Sequence, residues 1–289
     1  MKPFLKWAGG KRQIMNHIQP YIDNYLEVGS KYYEPFVGGG FVFISLERDN
    51  CVINDLNEEL MNCYKTVKTN PNALIEKLKI HEKLHHENAN YFYEIRNLDR
   101  NISSYQRMSD VEKAARTIYL NKTCYNGLYR VNRKGFFNTP KGRYKNPNIL
   151  DADNIIELSN YINKKNVVIK NETFKEAVKD ASKGDFLYFD PPYDYEESGF
   201  TSYVKEGFTF DDLMELKKVC DKLISKGCKV LISNNATERV LKLFDSKNYS
   251  IVAVEDIKYE KEEINVRRYI GSKSSDRKFV KEVLIYGHK

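Results

Sequence analysis

The sequence lacks the features of several protein classes. Its five cysteines are widely spaced and form no C-x-x-C pair, so neither a disulfide framework nor a zinc knuckle is indicated. No apolar run approaches the roughly 20 residues that cross a bilayer, and the first residues lack the apolar stretch of a secretory signal. Internal repeats and low-complexity linkers are also absent. We therefore expect a cytoplasmic protein with reduced, buried thiols and no membrane partner.

The chain has enough residues, 289, for one large domain or two smaller ones. Short β-rich apolar runs followed by helical patterns predict an α/β fold with a doubly wound, mostly parallel sheet of the Rossmann-like type. The predicted strands are residues 32–34, 51–54, 167–169, 186–189 and 230–232, with an antiparallel edge pair at 249–254 and 280–286. Residues 58–163 are mostly helical and polar and are interpreted as an inserted recognition domain, which leaves 1–57 and 164–289 as the catalytic domain.

Positive charge is present in moderate excess and is concentrated in one segment. The formal net charge is +7, and residues 122–145 hold seven Lys or Arg residues and no Asp or Glu. Five aromatic residues are interleaved with these cations, a mixture that lets cations bind phosphates while rings stack on bases. A basic hairpin that faces a nucleic acid, at about residues 122–148, is therefore predicted, with a solvated basic loop as the alternative.

The sharpest signal is an apolar run, residues 186–189, that stops at a carboxylate, two prolines and an aromatic ring. The candidate catalytic residues are Asp190, Pro191, Pro192 and Tyr193. Prolines stiffen the turn, and ligands of an open α/β sheet lie beyond the carboxyl ends of its strands. The Asp190 carboxylate and the Pro191 carbonyl can accept the two hydrogens of adenine N6, which directs the nitrogen lone pair at an incoming methyl group. Tyr193 can stack on a base that is flipped out of the duplex.

A second strand runs into a glycine-rich turn. Residues 33–40 read Y-E-P-F-V-G-G-G, a turn that lets backbone approach a ligand closely. Asp55 follows the next strand and is placed to bind a ribose diol. The turn is not G-x-G-x-x-G, and residues 9–12 lack the hydroxyl residue and spacing of a P-loop, so nicotinamide and ATP are disfavoured. A nucleoside without phosphate, such as S-adenosyl-L-methionine, fits better.

One rival motif is H-E-x-x-H at residues 81–85. Two histidines one helical turn apart with a glutamate between them are typical of zinc hydrolases. The helix is charged nearly all round and no third-ligand pattern follows, so we interpret the motif as a solvated helix face and predict no metal.

The motifs together resemble the Dam-like (alpha-group, D12 class) adenine-N6 DNA methyltransferases. The resemblance is carried, in chain order, by F-L-K-W-A-G-G-K at 4–11, E-P-F-V-G-G-G at 34–40, I-N-D at 53–55 and D-P-P-Y at 190–193. It extends to residues 126–130, 137–138, 142–145, 200–203 and 266–268, and so covers nearly the whole chain. A segment at 259–265 looks longer than the usual connection.

The resemblance implies a set of residues that bind S-adenosyl-L-methionine. They are Trp7, Ala8, Gly9, Gly10, Lys11, Glu34, Pro35, Phe36, Gly38, Gly39, Asp55, Thr173, Phe174 and Asp190. Thr173 stands where relatives often carry an aspartate that contacts the adenine of the donor, and it is the one departure in this set.

The resemblance also implies double-stranded DNA as the partner, with GATC as the target. The implied DNA-binding residues are Lys6, Asn126, Leu128, Arg130, Asn138, Arg143 and Tyr144. Lys6 and Arg130 are expected to contact guanine, and Leu128 to wedge into the stack beside the flipped base. A cognate restriction endonuclease and a monomeric or weakly dimeric state are further expectations. Two alternatives stay open: an amine methyltransferase acting on RNA or protein glutamine, and a catalytically silent DNA-binding protein.

Overall fold

The computed structural model describes residues 1–194, 207–254 and 282–289, in which strands and helices alternate along much of the chain. The strands are β1 Tyr32–Glu34, β2 Cys51–Asn54, β3 Val168–Lys170, β4 Phe186–Phe189, β5 Lys229–Asn235, β6 Tyr249–Val254 and β7 Glu282–Gly287. The α-helices are α1 Met15–Tyr25, α2 Phe41–Leu46, α3 Glu58–Thr69, α4 Pro71–Glu87, α5 Tyr91–Asn97, α6 Ile102–Gln106, α7 Asp110–Thr123, α8 Ala152–Lys164, α9 Phe174–Ala177, α10 Phe210–Ser225 and α11 Glu238–Phe244. None of the helices in these ranges is long and apolar enough to span a membrane.

The chain divides into two compact units. The first contains residues 1–12 and 31–180, and the second contains residues 13–30 and 181–289. In the first unit β1, β2 and β3 form parallel pairs in the order β3-β2-β1. Every residue of β1 and β2 is buried, as expected for parallel strands that are covered on both faces.

Helices α3 to α8 of the first unit occupy the stretch that was predicted to be helical. Their core is aromatic, with Tyr64, Phe92 and Tyr119 fully buried. Helix α7 begins with a capping box in which Ser109 and Glu112 satisfy each other's backbone amides. After α7 ends at Thr123, two isolated antiparallel bridges, Cys124 to Lys141 and Val131 to Phe137, shape the basic hairpin, residues 122–148.

The second unit contains the remaining strands in the order β4-β5-β7-β6. Strands β4 and β5 are parallel, whereas β7 is antiparallel to both β5 and β6. The predicted edge pair is therefore confirmed, and so is the α/β class with mostly parallel strands. The assignment of residues 58–163 to a recognition domain stays a prediction. The motif residues 200–203 and 266–268 and the segment 259–265 lie outside the described residues.

Candidate functional site

The glycine-rich turn after β1 packs against the only tryptophan of the sequence. Gly38 has a φ of +49°, and a Cβ there would lie 2.9 Å from Trp7 Cδ1, so the turn accepts neither a side chain nor an ordinary L-residue conformation. At Gly39 a Cβ would lie 3.1 Å from Trp7 Cβ. Trp7 and the turn are thus in direct contact although about 30 residues separate them in sequence.

Asp55 at the end of β2 is bonded to the same turn. Its Oδ2 accepts a hydrogen bond of 3.1 Å from Gly38 N, and its Oδ1 accepts one of 3.0 Å from Asn57 N. Burial raises the pKa of the Asp55 carboxyl, and the two amide hydrogen bonds oppose that rise. A half-buried carboxylate at a strand end is where the ribose diol of a nucleoside is bound in related folds.

Phe36 and Phe174 provide two aromatic faces beside the turn. Their rings stack with centroids 5.6 Å apart and planes 30° apart. Thr173 is the N-cap of α9, where its hydroxyl accepts a hydrogen bond from Glu176 N. The structure thus gives Thr173 a capping role, and a contact to the donor stays a prediction. We call Trp7, Phe36, Gly38, Asp55 and Phe174 the strand-end cluster.

Asn54 organises the loops around the strand-end cluster, a role that was not predicted from the sequence. Its Nδ2 donates to Pro35 O and to Glu172 O, both at 3.0 Å, and its Oδ1 accepts from Glu172 N at 2.9 Å. One buried amide therefore fixes the loop after β1 to the loop after β3. The feature of the sequence that indicates this role is a polar residue, Asn54, at the end of an apolar run. A polar residue that is buried at a strand end must find hydrogen-bond partners.

The rest of the predicted donor-binding set lies in the same unit, apart from Asp190. The Lys11 side chain is buried, and its Nζ donates to Gly9 O at 2.7 Å. Glu34 is buried and accepts a hydrogen bond of 2.9 Å from Tyr32 Oη. Ala8, Gly9 and Gly10 are exposed, whereas Pro35 is buried.

The D-P-P-Y segment, residues 190–193, belongs to the second unit and directly follows the fully buried β4. Asp190 is half-buried, Pro191 is buried and Pro192 is exposed. The Tyr193 hydroxyl donates a hydrogen bond to Glu282 at the start of β7. Burial and the nearby charges of Asp190 and Glu282 raise the pKa of Tyr193, so its phenol stays protonated.

The predicted DNA-binding residues of the basic hairpin are largely exposed. Arg130 Nε donates to Asn138 Oδ1 at 2.7 Å, and Asn138 N donates to Arg130 O at 2.9 Å. Asn138 therefore bonds to both the guanidinium and the backbone carbonyl of Arg130. Leu128 and Tyr144 are 41% and 38% exposed, so part of each side chain is open to contact with a partner. Asn126, with a φ of +53°, and Arg143 are exposed as well.

Lys6 is joined to the end of α7 through its backbone and to the basic hairpin through its side chain. Asn121 Oδ1 accepts from Lys6 N, and Asn121 Nδ2 donates to Lys6 O, both at 2.8 Å. The Lys6 ammonium lies 4.6 Å from the centroid of the Tyr144 ring, a cation–π arrangement. Two segments of the predicted DNA-binding surface are thereby brought together.

The two motif histidines are not on a solvated helix face, so that interpretation was wrong. His81 Nδ1 is hydrogen-bonded to Tyr91 Oη at 2.8 Å, and His85 Nδ1 to Tyr119 Oη at 2.9 Å. The His81 ring also stacks on Tyr119 with centroids 5.0 Å apart. Both rings are half-buried, and burial lowers the pKa of His81 to about 4. The pair belongs to a histidine–tyrosine cluster that packs α4 against α5 and α7.

Known proteins match this chain along most of its length. A family model described as D12 class N6 adenine-specific DNA methyltransferase matches residues 7–259. The type II methyltransferase M1.LlaDCHI of Lactococcus lactis subsp. cremoris is 42% identical over 293 residues, covering 100% of this chain and 96% of that protein. The type II methyltransferase M.MjaIII of Methanocaldococcus jannaschii is 43% identical over 249 residues, covering 81% and 84%.

A DNA adenine methylase of Salmonella typhi is 30% identical over 287 residues, covering 98% of this chain and 94% of that protein. These matches agree with the α/β fold. The silent DNA-binding alternative and the RNA or glutamine alternative are thereby set aside. This chain belongs to the D12 class N6 adenine-specific DNA methyltransferases.

Proposed function

We propose that the protein transfers a methyl group from S-adenosyl-L-methionine to N6 of a flipped adenine within GATC in duplex DNA. The observation that carries this proposal is the D-P-P-Y segment, which places a half-buried carboxylate and a buried proline directly after the buried strand β4. Such groups are fixed before a substrate arrives, and fixed acceptors stabilise developing charge better than mobile ones.

In this proposal Asp190 and the Pro191 carbonyl accept the two N6 hydrogens of the target adenine. The N6 lone pair, otherwise delocalised into the ring, then points at the methyl carbon. When bound, the donor supplies a methyl group on a positively charged sulfur. The carbon–sulfur bond breaks as the carbon–nitrogen bond forms, and the nitrogen loses one proton to solvent. The protonated phenol of Tyr193 stacks on the base. Because the methyl group passes directly from sulfur to nitrogen, the reaction requires neither a covalent enzyme intermediate nor a metal.

S-adenosyl-L-methionine as the donor is supported by the chemistry of the strand-end cluster. Phe36 and Phe174 offer aromatic faces for a purine, and Asp55 offers a carboxylate for two ribose hydroxyls. Trp7 and Lys11 complete the proposed set from the N-terminal segment. The glycine turn is bonded to a carboxylate rather than presented to a phosphate, which favours a nucleoside over a nucleotide.

Recognition of GATC is proposed for the basic hairpin together with Lys6. Arginine reads guanine through a planar fork of donors, and the hydrogen bond from Arg130 to Asn138 limits the orientations of that fork. Leu128 has an exposed apolar side chain that can fill the gap left by a flipped base. Asn126, Arg143 and Tyr144 are proposed as further contacts to DNA.

The wider role of the enzyme is also a proposal. The names of M1.LlaDCHI and M.MjaIII describe type II methyltransferases, which favours a restriction-modification role for this chain with a cognate endonuclease of the same target. We further propose that residues 58–163 form a recognition domain. We also propose a monomeric or weakly dimeric state and a cytoplasmic location.

The decisive experiment is sequencing of unmethylated genomic DNA after incubation with the purified protein and S-adenosyl-L-methionine, with methylated positions read at base resolution. We expect N6-methyladenine in GATC and nowhere else above background. Asp190→Ala is the control, and it should leave the DNA unmethylated while donor binding stays measurable. Methylation of another motif would overturn the proposed target, and full activity of Asp190→Ala would overturn the proposed chemistry.

A further inference from the structure

Asp194, the residue after the D-P-P-Y segment, is a buried carboxylate with several partners. Its Oδ2 accepts a hydrogen bond of 2.8 Å from Thr237 Oγ1 and one of 2.6 Å from Arg239 Nε. Its Oδ1 accepts a further bond from Arg239 Nη2, so the pair is bidentate. The Asp194 side chain is 6% exposed, which makes this ion pair far less solvated than an ordinary surface pair.

The backbone of Asp194 is held as firmly as its side chain. Asp194 N donates to Asn234 Oδ1 at 3.0 Å, and Asp194 O accepts from Asn235 Nδ2 at 2.7 Å. Both asparagines are buried at the end of β5. Every polar group of Asp194 is therefore bonded to the end of β5 or to the residues that begin α11, and this residue cannot turn without breaking several bonds.

Arg239 connects the Asp194 carboxylate to the start of α10. Its guanidinium lies 4.8 Å from the centroid of the Phe210 ring and is hydrogen-bonded to the Asp194 carboxylate. Arginine suits this position because its planar fork can bind a carboxylate at its edge and stack on a ring with its face. The partners of Asp194 thus come from β5, α11 and, through Arg239, α10.

We propose that Asp194 and Arg239 form a positioning pair for methyl transfer. This inference rests on the proposed role of residues 190–193 as the adenine-binding segment. Tyr193 is fixed at its hydroxyl by Glu282, and Asp194 fixes the backbone that follows it. Loosening the Asp194 end lets the Tyr193 ring and the Pro191 carbonyl move, although neither Asp194 nor Arg239 needs to touch a substrate.

The test compares four variants of the full chain. Asp194→Asn removes the charge of the carboxylate, Arg239→Gln removes the fork, and Arg239→Lys keeps the charge without the fork. Lys242→Gln is the matched control, because Lys242 pairs with Glu238 at 3.2 Å on the same helix with both side chains largely exposed. Steady-state kcat and both KM values, melting temperature, and the fluorescence of 2-aminopurine at the target adenine are measured for each.

We expect Asp194→Asn and Arg239→Gln to lower kcat by about 10- to 100-fold, the effect of a small misplacement of reacting groups. KM for the donor should stay within about twofold, because the lost interaction does not act on donor binding. Arg239→Lys should recover part of kcat, and Lys242→Gln should match the wild type. The bound 2-aminopurine should be brighter in the two damaging variants, since a displaced Tyr193 ring quenches it less.

Clear outcomes overturn the inference. One is a kcat for Arg239→Gln within about threefold of the Lys242→Gln value, because the loss of a positioning partner must change the rate. Another is a kcat loss that tracks the melting temperature with unchanged 2-aminopurine fluorescence, which assigns the pair to stability alone. A wild-type protein that methylates no adenine would instead refute the proposed function.

Discussion

The indole ring of Trp7 stacks on the ring of Tyr129, with centroids 5.3 Å apart and planes 25° apart. Trp7 belongs to the strand-end cluster, and Tyr129 lies between Leu128 and Arg130 in the basic hairpin. The proposed donor site and the proposed DNA-binding surface therefore share one aromatic contact.

Tyr129→Ala should weaken binding of S-adenosyl-L-methionine as well as discrimination among DNA sequences. Loss of the ring removes the packing partner of Trp7, and a stacked aromatic pair contributes about 0.5–1.5 kcal/mol beyond its buried area. Tyr129→Phe retains the stack and is the matched control. Isothermal titration with the donor alone checks the prediction, which an unchanged affinity in Tyr129→Ala would contradict.

Asn54→Ala should reduce both stability and donor affinity. The substitution leaves the buried Pro35 carbonyl without its hydrogen bond and releases the loop at Glu172, at a cost of about 1–3 kcal/mol. Asn62→Ala is a suitable control in the same unit, because the Asn62 amide bonds to Asp110 O at the surface and should cost no more than about 0.5 kcal/mol. Urea unfolding measures the difference, and equal effects of the two variants would rule out the organising role of Asn54.

Arg130→Ala should relax selectivity at one guanine of the target, at a cost of about 1–3 kcal/mol at that position. Asn138→Ala should give a smaller change in the same direction, because it frees the guanidinium without removing it. Arg133→Ala is the control, since Arg133 is an exposed cation of the same hairpin. Methylation rates on a panel of single-base variants of GATC provide the readout. A uniform loss over all sequences would instead identify Arg130 as a phosphate contact.

Gly127→Ala should impair DNA binding by displacing Lys6. Gly127 has a φ of +65°, and a Cβ there would lie 2.6 Å from Lys6 Cδ and 2.7 Å from Lys6 Cβ. Gly135→Ala separates this clash from backbone strain, because Gly135 has a φ of +81° but no atom within 4 Å of the added Cβ. Each alanine should cost about 1–2 kcal/mol of strain, and only Gly127→Ala should also weaken binding to GATC duplexes. Similar binding by both variants would show that the Lys6 contact is unimportant.

Acid should destabilise the protein partly through His81. Burial lowers the pKa of the folded state to about 4, whereas an unfolded histidine titrates near 6.5. As pH falls from about 6.5 to 4, the unfolded state takes up a proton that the folded state does not, so the free energy of unfolding decreases by up to about 1.4 kcal/mol per pH unit. His81→Gln should flatten this slope. Unfolding measured from pH 7 to pH 4 checks it, and an unchanged slope would contradict the assignment.

Much of the fold was predictable because buried parallel strands appear in the sequence as short apolar runs. Strands β1, β2 and β4 match their predicted bounds, and β3 is shifted by one residue. Strand β5 continues to Asn235, beyond its predicted end. The extension was not predicted because its residues, Ser233, Asn234 and Asn235, are polar yet buried. Hydrophobicity alone gives no signal for such an extension.

The residues that organise the site were harder to predict. Asn54 and Glu172 are 118 positions apart, and Asp194 and Arg239 are 45 apart, so their pairing depends on the fold rather than on any local motif. His81 and His85 were assigned to solvent because their helix is rich in charge, whereas tyrosines from α5 and α7 cover their rings. Candidate functional residues at strand ends can be identified in the sequence. The long-range hydrogen bonds that fix the loops around them cannot.

The close approach of Lys6 to Gly127 couples the two segments that are proposed to read the target sequence. The backbone of Lys6 forms two hydrogen bonds with the Asn121 side chain, and the Lys6 side chain leaves no room for a side chain at position 127. We therefore expect a hairpin grafted from another methylase to pack correctly only if Lys6 and Trp7, which contact Gly127 and Tyr129, are transplanted with it. Engineering of new specificities should treat the two segments as a single cassette.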